Sequence, residues 1–412
     1  MIDARQQRGM EIAATHKIVR RDDGTWAVPS QSGNGRYIVQ LGRHCTCPDH
    51  ETRACKCKHM IAVEYAMRRE QHSDGTETVT ERLTITKTVN RPTYAQDWPA
   101  YNKAQTNEKR QFQSLLFDLC SAIPSEPQSK GRPRLPLADA VFAATFKIYS
   151  TFSGRRFISD LCDAQTKGYL SRVPHFNSIF NYLESPELTP ILTRLIATAS
   201  LPLAAVESDF AVDSTGFTTS RFHRWFDHKY GAIRQEHDWV KAHLICGVKT
   251  NVVTAVEIHE RNTNDNPILP SLVESTAANF RMAEVSADKQ YAGESNFQTI
   301  SKCGATPYIA FRAGTTGAMG GLFGKMYHYF SLNREQFLSH YHKRSNVEST
   351  VMMIKTKFRD DVRSKTDTAM RNEVLGKVLC HNICCVISAI YELGIQPYFG
   401  CTKNDATAQN LC

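Results

Sequence analysis

The sequence lacks the features that would place it in or across a membrane. It contains no run of 18 apolar residues, and its N-terminus has no apolar core of the kind found in signal peptides. Acidic residues are also in deficit, with 41 Asp and Glu against 50 Lys and Arg, so the formal net charge is +9. We therefore expect a soluble intracellular protein, and the surplus of positive charge favours a polyanionic partner.

Cysteine is too sparse for a disulfide scaffold. Thirteen cysteines are distributed over 412 residues, without the dense spacing of small secreted domains. We expect a reducing compartment, with some cysteines binding metal and the rest buried as small apolar side chains. A chain of this length also exceeds one compact core, so two or three domains are predicted.

Positive charge is concentrated in one part of the chain. Residues 322–372 contain ten Lys and Arg but only five Asp and Glu. The same stretch includes a segment, 334–358, whose apolar residues recur at helical spacing and predict one continuous helix. Polar side chains project beside this apolar stripe.

Four polar side chains share one face of the predicted helix. At about 100° per residue, Tyr341, Arg344, Glu348 and Lys355 fall within a wedge of about 60°. A carboxylate among three groups that bind phosphate usually has a cation beside it, because a carboxylate alone repels phosphate. The alternative is a solvated helix in which Arg344 and Glu348 form an ordinary i,i+4 ion pair.

Two aspartates follow buried strands earlier in the chain. A short apolar run ends at Asp213 and is followed by Gly216, and a second run ends at Asp288. Each pattern predicts a strand that presents a carboxylate at its end. A single aspartate of this kind is more often a turn or helix-capping residue. Three acids in this order, each on the appropriate element, favour a shared site, and Asp265 is the next candidate for the second acid.

The three segments together resemble the DDE transposases of a large group of bacterial and archaeal insertion sequences. The spacing Y-x-x-R-x-x-x-E-x-x-x-x-x-x-K is complete, and the other two segments resemble the D-S-T-G and A-D-K-G-Y boxes. The second box departs from the family at Gln290, where glycine is common. The resemblance implies an α/β fold, with an RNase H-like catalytic domain built on a mixed sheet flanked by helices.

The resemblance also implies the role of each site residue. Asp213, Asp288 and Glu348 would be catalytic and would hold two Mg²⁺ ions, with Mn²⁺ as a possible substitute and Asp213 bridging both ions. Arg344 and Lys355 would bind DNA phosphates, and Tyr341 would contact a phosphate or stack on a base. The partner would be double-stranded DNA, as element ends and as target, bound by a homodimer in a prokaryotic cytoplasm or nucleoid.

A second motif lies near the N-terminus. Cys45, Cys47, Cys57 and His59 supply four ligands in a C-x-C and C-x-H arrangement, which suits one structural zinc ion with no open position. Two strands precede the motif and a helix follows it, so a small zinc-binding ββα domain is predicted. This arrangement resembles the SWIM zinc finger over residues 20–68. His50 and Cys55 are spare ligand types, and Cys55 could replace Cys57.

These observations divide the chain into five parts. We predict a SWIM-type domain over residues 1–70, a linker over 71–110 and a helical, DNA-end-binding subdomain over 111–205. The RNase H-like domain would occupy 206–398, and 399–412 would be a loose tail. A helix-turn-helix within 137–184 and a basic minor-groove motif over 130–134 are weaker predictions.

The sequence leaves two other functions open. An RNase H-like nuclease would use the same three acids to hydrolyse DNA without joining strands. A domesticated DNA- or protein-binding factor would use the zinc finger alone. Three intact, mutually repelling carboxylates argue against the second alternative, because a binding factor does not need them.

Overall fold

A computed structural model describes residues 4–31, 35–70, 97–124, 134–219, 239–312, 314–397 and 399. The chain divides into two compact units, Met1–Ala95 and Gln96–Cys412. Most of the predicted linker, the basic motif except Arg134 and the tail beyond residue 399 lie outside the described residues.

The first unit is a small sheet covered by helices. Its antiparallel strands lie in the order β1 to β4, and two helices, α1 and α3, contact each other beside them. Gly9 of α1 allows this contact, because a Cβ at that position would lie 2.6 Å from a side-chain carbon of Ile61. The elements are α1 (Ala4–Thr15), β1 (Val19–Arg20), β2 (Trp26–Pro29), β3 (Arg36–Gln40), β4 (His44–Cys45), α2 (Pro48–Arg53) and α3 (Lys58–Glu70).

The second unit begins with five helices. They are α4 (Trp98–Ser121), α5 (Leu137–Ser150), α6 (Gly154–Thr166), α7 (Phe176–Leu183) and α8 (Leu188–Ser200). Helix α4 starts within the segment predicted as a linker. The Asp97 side chain accepts a hydrogen bond from the Ala100 N–H at 3.0 Å, and Ala100 and Ala104 are buried one turn apart. An N-terminal cap and two small buried residues therefore extend the helix through a stretch of polar composition.

A mixed sheet flanked by helices forms the rest of the unit, as predicted. Its strands lie in the order β7-β6-β5-β8-β9, with β10 also paired to β5. Strands β6 and β7 are antiparallel to their neighbours, whereas β8, β9 and β10 run parallel to theirs. The strands are β5 (Asp209–Thr219), β6 (Trp239–Gly247), β7 (Val253–His259), β8 (Glu284–Ala287), β9 (Thr306–Ile309) and β10 (Asp361–Val362).

Strand β5 has a gap along one edge. Strand β6 pairs with one side of β5 from Phe210 to Thr218. On the other side, β8 pairs with residues 209–212 and β10 with residues 218–219. In the described part of the chain, residues 213–217 therefore have no strand partner on that side. Sequence analysis predicted that the strand ends at Asp213, but it continues to Thr219 because β6 supports it throughout.

Helices cover both faces of the sheet. They are α9 (Leu269–Ala277), α10 (Glu294–Lys302), α11 (Gly321–Leu332), α12 (Arg334–Tyr341), α13 (Ser345–Phe358) and α14 (Asp367–Glu392). The single helix predicted over 334–358 is wrong, since a 3-10 turn at His342–Arg344 separates α12 from α13. Side chains that pack on both sides of β5 account for the change in direction, with Phe337 in one core and Val347 in the other.

Helix α14 is the central helix of the second unit. Among the described helices, it alone is long and apolar enough to cross a membrane, but 78% of its apolar window is buried inside the protein. Buried Asn372 and Asn382 donate hydrogen bonds to carbonyls of the helical subdomain, at Leu183 and Ile196, at 2.9 and 3.1 Å. The helix therefore joins the helical subdomain to the sheet.

Candidate active site and metal centre

The first two predicted acids lie side by side. The register of β5 and β8 ends with Val212 opposite Ala287, so the next residues along the two strands are Asp213 and Asp288. Adjacent strands are about 4.8 Å apart, and residues in register point to the same face. The sheet thus brings the two carboxylates together at the start of the gap in β5.

The third acid comes from the first turn of α13. Glu348 lies there, and buried Val347 and Thr350 hold the helix against the sheet core. Thr350 donates hydrogen bonds to the carbonyl of Asn346 at 3.0 Å and to the Asn251 side chain at 3.2 Å. These contacts fix the turn that presents Glu348 towards β5.

Asp288 and Glu348 both act electrostatically on Asp213. Burial raises the pKa of Asp213, and the negative charges of Asp288 and Glu348 raise it further. The Ser214 N–H, which donates to the carboxylate at 2.8 Å, and the positive charge of Arg344 act in the opposite direction. The site therefore has excess negative charge, and a bound cation would relieve it.

Arg344 lies between the first and third acids. Its guanidinium is 2.8 Å from Glu348 Oε1 and 3.5 Å from Asp213 Oδ2. The i,i+4 ion pair that sequence analysis kept as an alternative is therefore present, but it includes a third partner on another element. In this arrangement Arg344 compensates part of the carboxylate charge.

The other two predicted DNA contacts flank the acids. The Tyr341 ring lies 6.0 Å from the Arg344 guanidinium, and burial, with Asp288 nearby, raises the pKa of its hydroxyl. The Lys355 ammonium lies 5.3 Å from the ring of Phe217, and burial lowers its pKa. Phe217 is four residues after Asp213 on β5, so Lys355 lies about 13 Å further along the strand.

Sequence analysis missed the residues that position this segment. Lys343 contacts Asp209 at 2.7 Å and also pairs with Glu284, which begins β8. The His340 ring stacks on Tyr308, with centroids 4.4 Å apart, and contacts Glu284 at 2.5 Å. These contacts attach the α12–α13 junction to the starts of β5 and β8. The sequence signal for these contacts was the acid at the first position of each strand, Asp209 in β5 and Glu284 in β8.

Tyr291 is a further buried group beside the acids. It is 1% exposed, and burial raises the pKa of its hydroxyl well above the ordinary value, with contributions from Asp265, Asp213 and Asp288. Asp265, the alternative second acid, is paired with Lys241. It is therefore already compensated, whereas Asp288 has no ion pair among the described residues.

The first unit contains a separate cluster of metal-ligating side chains. Cys45, Cys47, Cys57 and His59 are all buried, and their ligand atoms lie within 4.8 Å of one another. His59 Nδ1 is 4.0 Å from the sulfurs of Cys45 and Cys57. Bonds of about 2.3 Å to sulfur and 2.1 Å to nitrogen in a tetrahedral site would set these distances near 3.6 Å. The donor set and its spacing therefore fit zinc.

The two spare ligands are outside this cluster. The His50 ring is bonded at 2.7 Å to the carbonyl oxygen of Cys55, and neither side chain joins the group of four. The β4 strand and the start of α3 supply the four ligands instead, from two short stretches of chain. The structure therefore brings together the ligand set preferred from the sequence.

Comparisons with known proteins identify the domain that carries the acids. Residues 204–383 match the family model described as the transposase DDE domain, which covers fewer than half of the 412 residues. This span includes all three acids and the residues Tyr341, Arg344 and Lys355. Residues 204–383 are therefore similar to the transposase DDE domain.

A similar solved structure is that of the piggyBac transposase in a synaptic complex with hairpin DNA. The match covers 69% of this chain and 76% of that chain, with 10% sequence identity and a TM-score of 0.36. The comparison with curated proteins gave no match.

Proposed function

We propose that the protein is a DNA transposase that cuts the ends of a genetic element and joins them to target DNA. The observation that carries this proposal is the meeting of Asp213, Asp288 and Glu348 at the gap in β5, within the segment that matches the transposase DDE domain. The mixed sheet with flanking helices is consistent with the RNase H-like fold expected for such a domain.

The three acids are the proposed ligands of Mg²⁺, and Mn²⁺ would serve as a substitute. Carboxylate oxygens are the hard ligands that these ions prefer, and the one cation paired with the three acids among the residues that the structure describes, Arg344, leaves part of their charge for metal ions to compensate. Two bound ions would supply activation of the attacking oxygen and stabilisation of the leaving oxygen. Asp213 would share both ions, since it neighbours Asp288 in the sheet and is linked to Glu348 through Arg344.

Arg344, Tyr341 and Lys355 are the proposed DNA contacts. Arg344 compensates the carboxylates in the described structure, and it becomes available to a phosphate once their charge is neutralised by other means. Its planar fork suits a phosphate oxygen pair, whereas Lys355 provides a point charge further along β5. Tyr341 lies beside Arg344 and can contact the same nucleotide.

The Cys45, Cys47, Cys57 and His59 cluster is proposed to hold one structural zinc ion in a SWIM-type domain. All four ligands come from the protein, so no position remains for a substrate. We further propose that the helical subdomain binds element ends, that the DNA-bound form is a homodimer and that the protein acts inside the cell. The helix-turn-helix within 137–184 remains part of this proposal.

Strand joining distinguishes a transposase from a nuclease. Lys355→Ala should reduce joining of pre-cleaved ends to a target plasmid about tenfold or more, with a smaller effect on first-strand hydrolysis, because Lys355 is too far from the acids to share a metal. The substrates are duplexes that carry the DNA flanking this gene. Lys355→Arg should restore joining, and Lys302→Ala, an exposed lysine on α10, is the matched control.

The outcome separates the candidate functions. A wild-type protein that hydrolyses these duplexes but never joins them would be a nuclease. A wild-type protein that binds the duplexes but neither cuts nor joins them in Mg²⁺ or Mn²⁺ would be a binding factor. Equal loss of hydrolysis and joining in Lys355→Ala would remove its proposed role at the cleaved end.

A further inference from the structure

A large groove lies between the helical subdomain and the catalytic domain. Its volume is about 1010 Å³, and one wall is formed by the end of α5, the start of α6 and α7. The other wall consists of residues 358–365, which connect α13 to α14, and the first turns of α14. We call this cavity the basic groove.

Cations outnumber carboxylates in the lining of the basic groove. Six cations line it, and the single carboxylate there is Glu373. Glu373 is already used, because it accepts hydrogen bonds from the N–H groups of Arg363 and Ser364 at 3.0 and 2.8 Å. The lining cations are Lys147, Arg156, Arg359, Arg363, Lys365 and Lys377.

Lys147 is the most informative of these cations. Its side chain is 7% exposed, and among the described residues it makes no hydrogen bond or ion pair. Burial and the charge of Arg363, with a smaller contribution from Arg359, lower the pKa of Lys147 to about 8, while the charge of Glu373 opposes the shift. The Lys147 ammonium, with only the more distant charge of Glu373 to offset its partial burial, is suited to binding an anion in the groove.

Aromatic rings lie among the cations. Phe152 and Phe180 are 49% and 41% exposed, which is unusual for phenylalanine, and both line the groove. Gly154 leaves room for the second ring, since a Cβ there would lie 2.9 Å from Phe180 Cζ. Exposed rings beside cations form a stacking surface for unpaired bases with phosphates alongside.

The basic groove is connected to the strand that carries Asp213. The Thr218 N–H donates to the Asp360 carbonyl at 3.1 Å, and β10 pairs with the end of β5. Lys377 in the groove and Lys355 near the acids lie 5.4 and 5.3 Å from the same Phe217 ring. Thr218 is five residues from Asp213, so the groove begins about 17 Å from the acids.

We propose that the basic groove binds an unpaired DNA strand that leaves the active site. Its phosphates would lie on Lys147, Arg156, Arg359 and Lys365, and its bases on Phe152 and Phe180. Lys377 and Arg363 already donate hydrogen bonds to backbone carbonyls. A duplex does not fit this description, because its base faces are covered by stacking and cannot contact Phe152 and Phe180. This inference rests on the proposed function, since it takes the acids as the site where the strand is cut. The strand would span about 17 Å between the cut and the groove.

Binding of a labelled oligonucleotide tests the proposal without cleavage. Fluorescence anisotropy with the full chain, without Mg²⁺, measures affinity for a 12-nucleotide oligodeoxythymidine and for a 12-base-pair duplex. Lys147→Met, Arg156→Gln and Phe180→Ala should each weaken binding of the single strand about fivefold or more and leave duplex binding within twofold. Loss of one phosphate contact should also reduce the salt slope by about 0.7.

Matched controls separate the groove from general charge and aromatic effects. Arg194→Gln removes an exposed arginine on α8, and Phe117→Ala removes a 36% exposed phenylalanine on α4; neither residue lines the groove. Lys147→Met should also raise the melting temperature, since it removes a buried charge. A more stable variant that binds single strands less well cannot be explained by misfolding.

Three results would overturn the proposal. The first is that all three groove variants bind the single strand as tightly as the control variants do. The second is that the groove variants lose as much affinity for the duplex as for the single strand. The third is displacement of the oligonucleotide by equimolar dTMP or inorganic phosphate, which would indicate a small-anion site. Because the assay needs no cleavage, a protein that fails to cut DNA can still pass it, and an active transposase can still fail it.

Discussion

The two groups of proposed metal ligands in this protein are built in opposite ways. The Cys45, Cys47, Cys57 and His59 cluster comes from two short stretches of chain, is fully buried and already has its ligand atoms within 4.8 Å of one another. The acids come from β5, the end of β8 and α13; Glu348 is 57% exposed, and the described acids form no group of that compactness. The first group is suited to retaining an ion, and the second to exchanging ions and substrate.

The two groups also differ in how the charge of their side chains is compensated without metal. In the first unit, the ligands are held together by the sheet and by α3. In the second, Arg344 is inserted between Asp213 and Glu348, and Asp213 retains a raised pKa. Because the charge of the proposed acidic site is only partly compensated by Arg344, changes to the two groups should have different consequences.

The largest effect is expected from loss of a zinc ligand. Cys57→Ser should abolish zinc binding and unfold the first unit, because structural zinc contributes about 10–16 kcal/mol of apparent folding free energy in small domains. Elemental analysis and limited proteolysis would measure both effects. Cys55→Ser, which changes a cysteine outside the cluster, should retain about one zinc per chain. Retained zinc in Cys57→Ser would exclude this ligand set.

Loss of a catalytic acid should remove activity and leave the fold intact. Asp213→Asn, Asp288→Asn and Glu348→Gln should each reduce DNA cleavage in Mg²⁺ by on the order of 10³-fold or more, since two-metal chemistry depends on each ligand. Binding to element ends should change less than threefold. Glu274→Gln, at an exposed position on α9, is the control and should cut normally. Normal cleavage by Asp288→Asn would transfer the second role to another acid, with Asp265 tested next.

Asp213→Asn should lose activity but gain a small amount of stability. The pKa of Asp213 is raised in the folded state, so folding disfavours its ionised form and stability falls as pH rises through that pKa. Asp213→Asn should therefore be more stable than wild type at pH 7, by on the order of 0.5–2 kcal/mol. Melting temperatures at pH 7 and pH 4.5 should show the advantage shrinking at the lower pH.

Asp163 is the control for this measurement. Its contact with Lys167 at 2.7 Å lowers the pKa of Asp163, so Asp163→Asn should give no gain in stability at pH 7. A destabilised Asp213→Asn would mean that Arg344 compensates the carboxylates more completely than the raised pKa indicates.

The sequence predicted most of the acidic site because each acid follows a local pattern. A run of apolar residues that ends in aspartate identifies a buried strand, although β5 continues past Asp213 to Thr219, and the parallel pairing of β5 with β8 places Asp213 beside Asp288. The zinc cluster was predictable for the same reason, since its ligands are close in the chain. In both cases local spacing determined the geometry.

Features that depend on distant contacts were not predictable. The 3-10 turn at His342–Arg344 arises because the flanking helices pack in different cores, which helical periodicity alone does not reveal. Strand β10 has two residues, too few for any strand pattern, and α11 was not predicted at all. The basic groove combines cations from α5, α6, the residues after α13, and α14, and only the fold brings them together.

The most direct test of the central claim is a strand-joining assay with pre-cleaved ends. Duplexes ending at the terminal repeats beside this gene are incubated with the full protein, Mg²⁺ and a supercoiled target plasmid, and the joined product is quantified. We predict metal-dependent joining by the wild-type protein and none by Asp213→Asn, with both proteins binding the ends. Joining by Asp213→Asn at the wild-type rate, or no joining by a wild-type protein that cuts the same ends, would contradict the account.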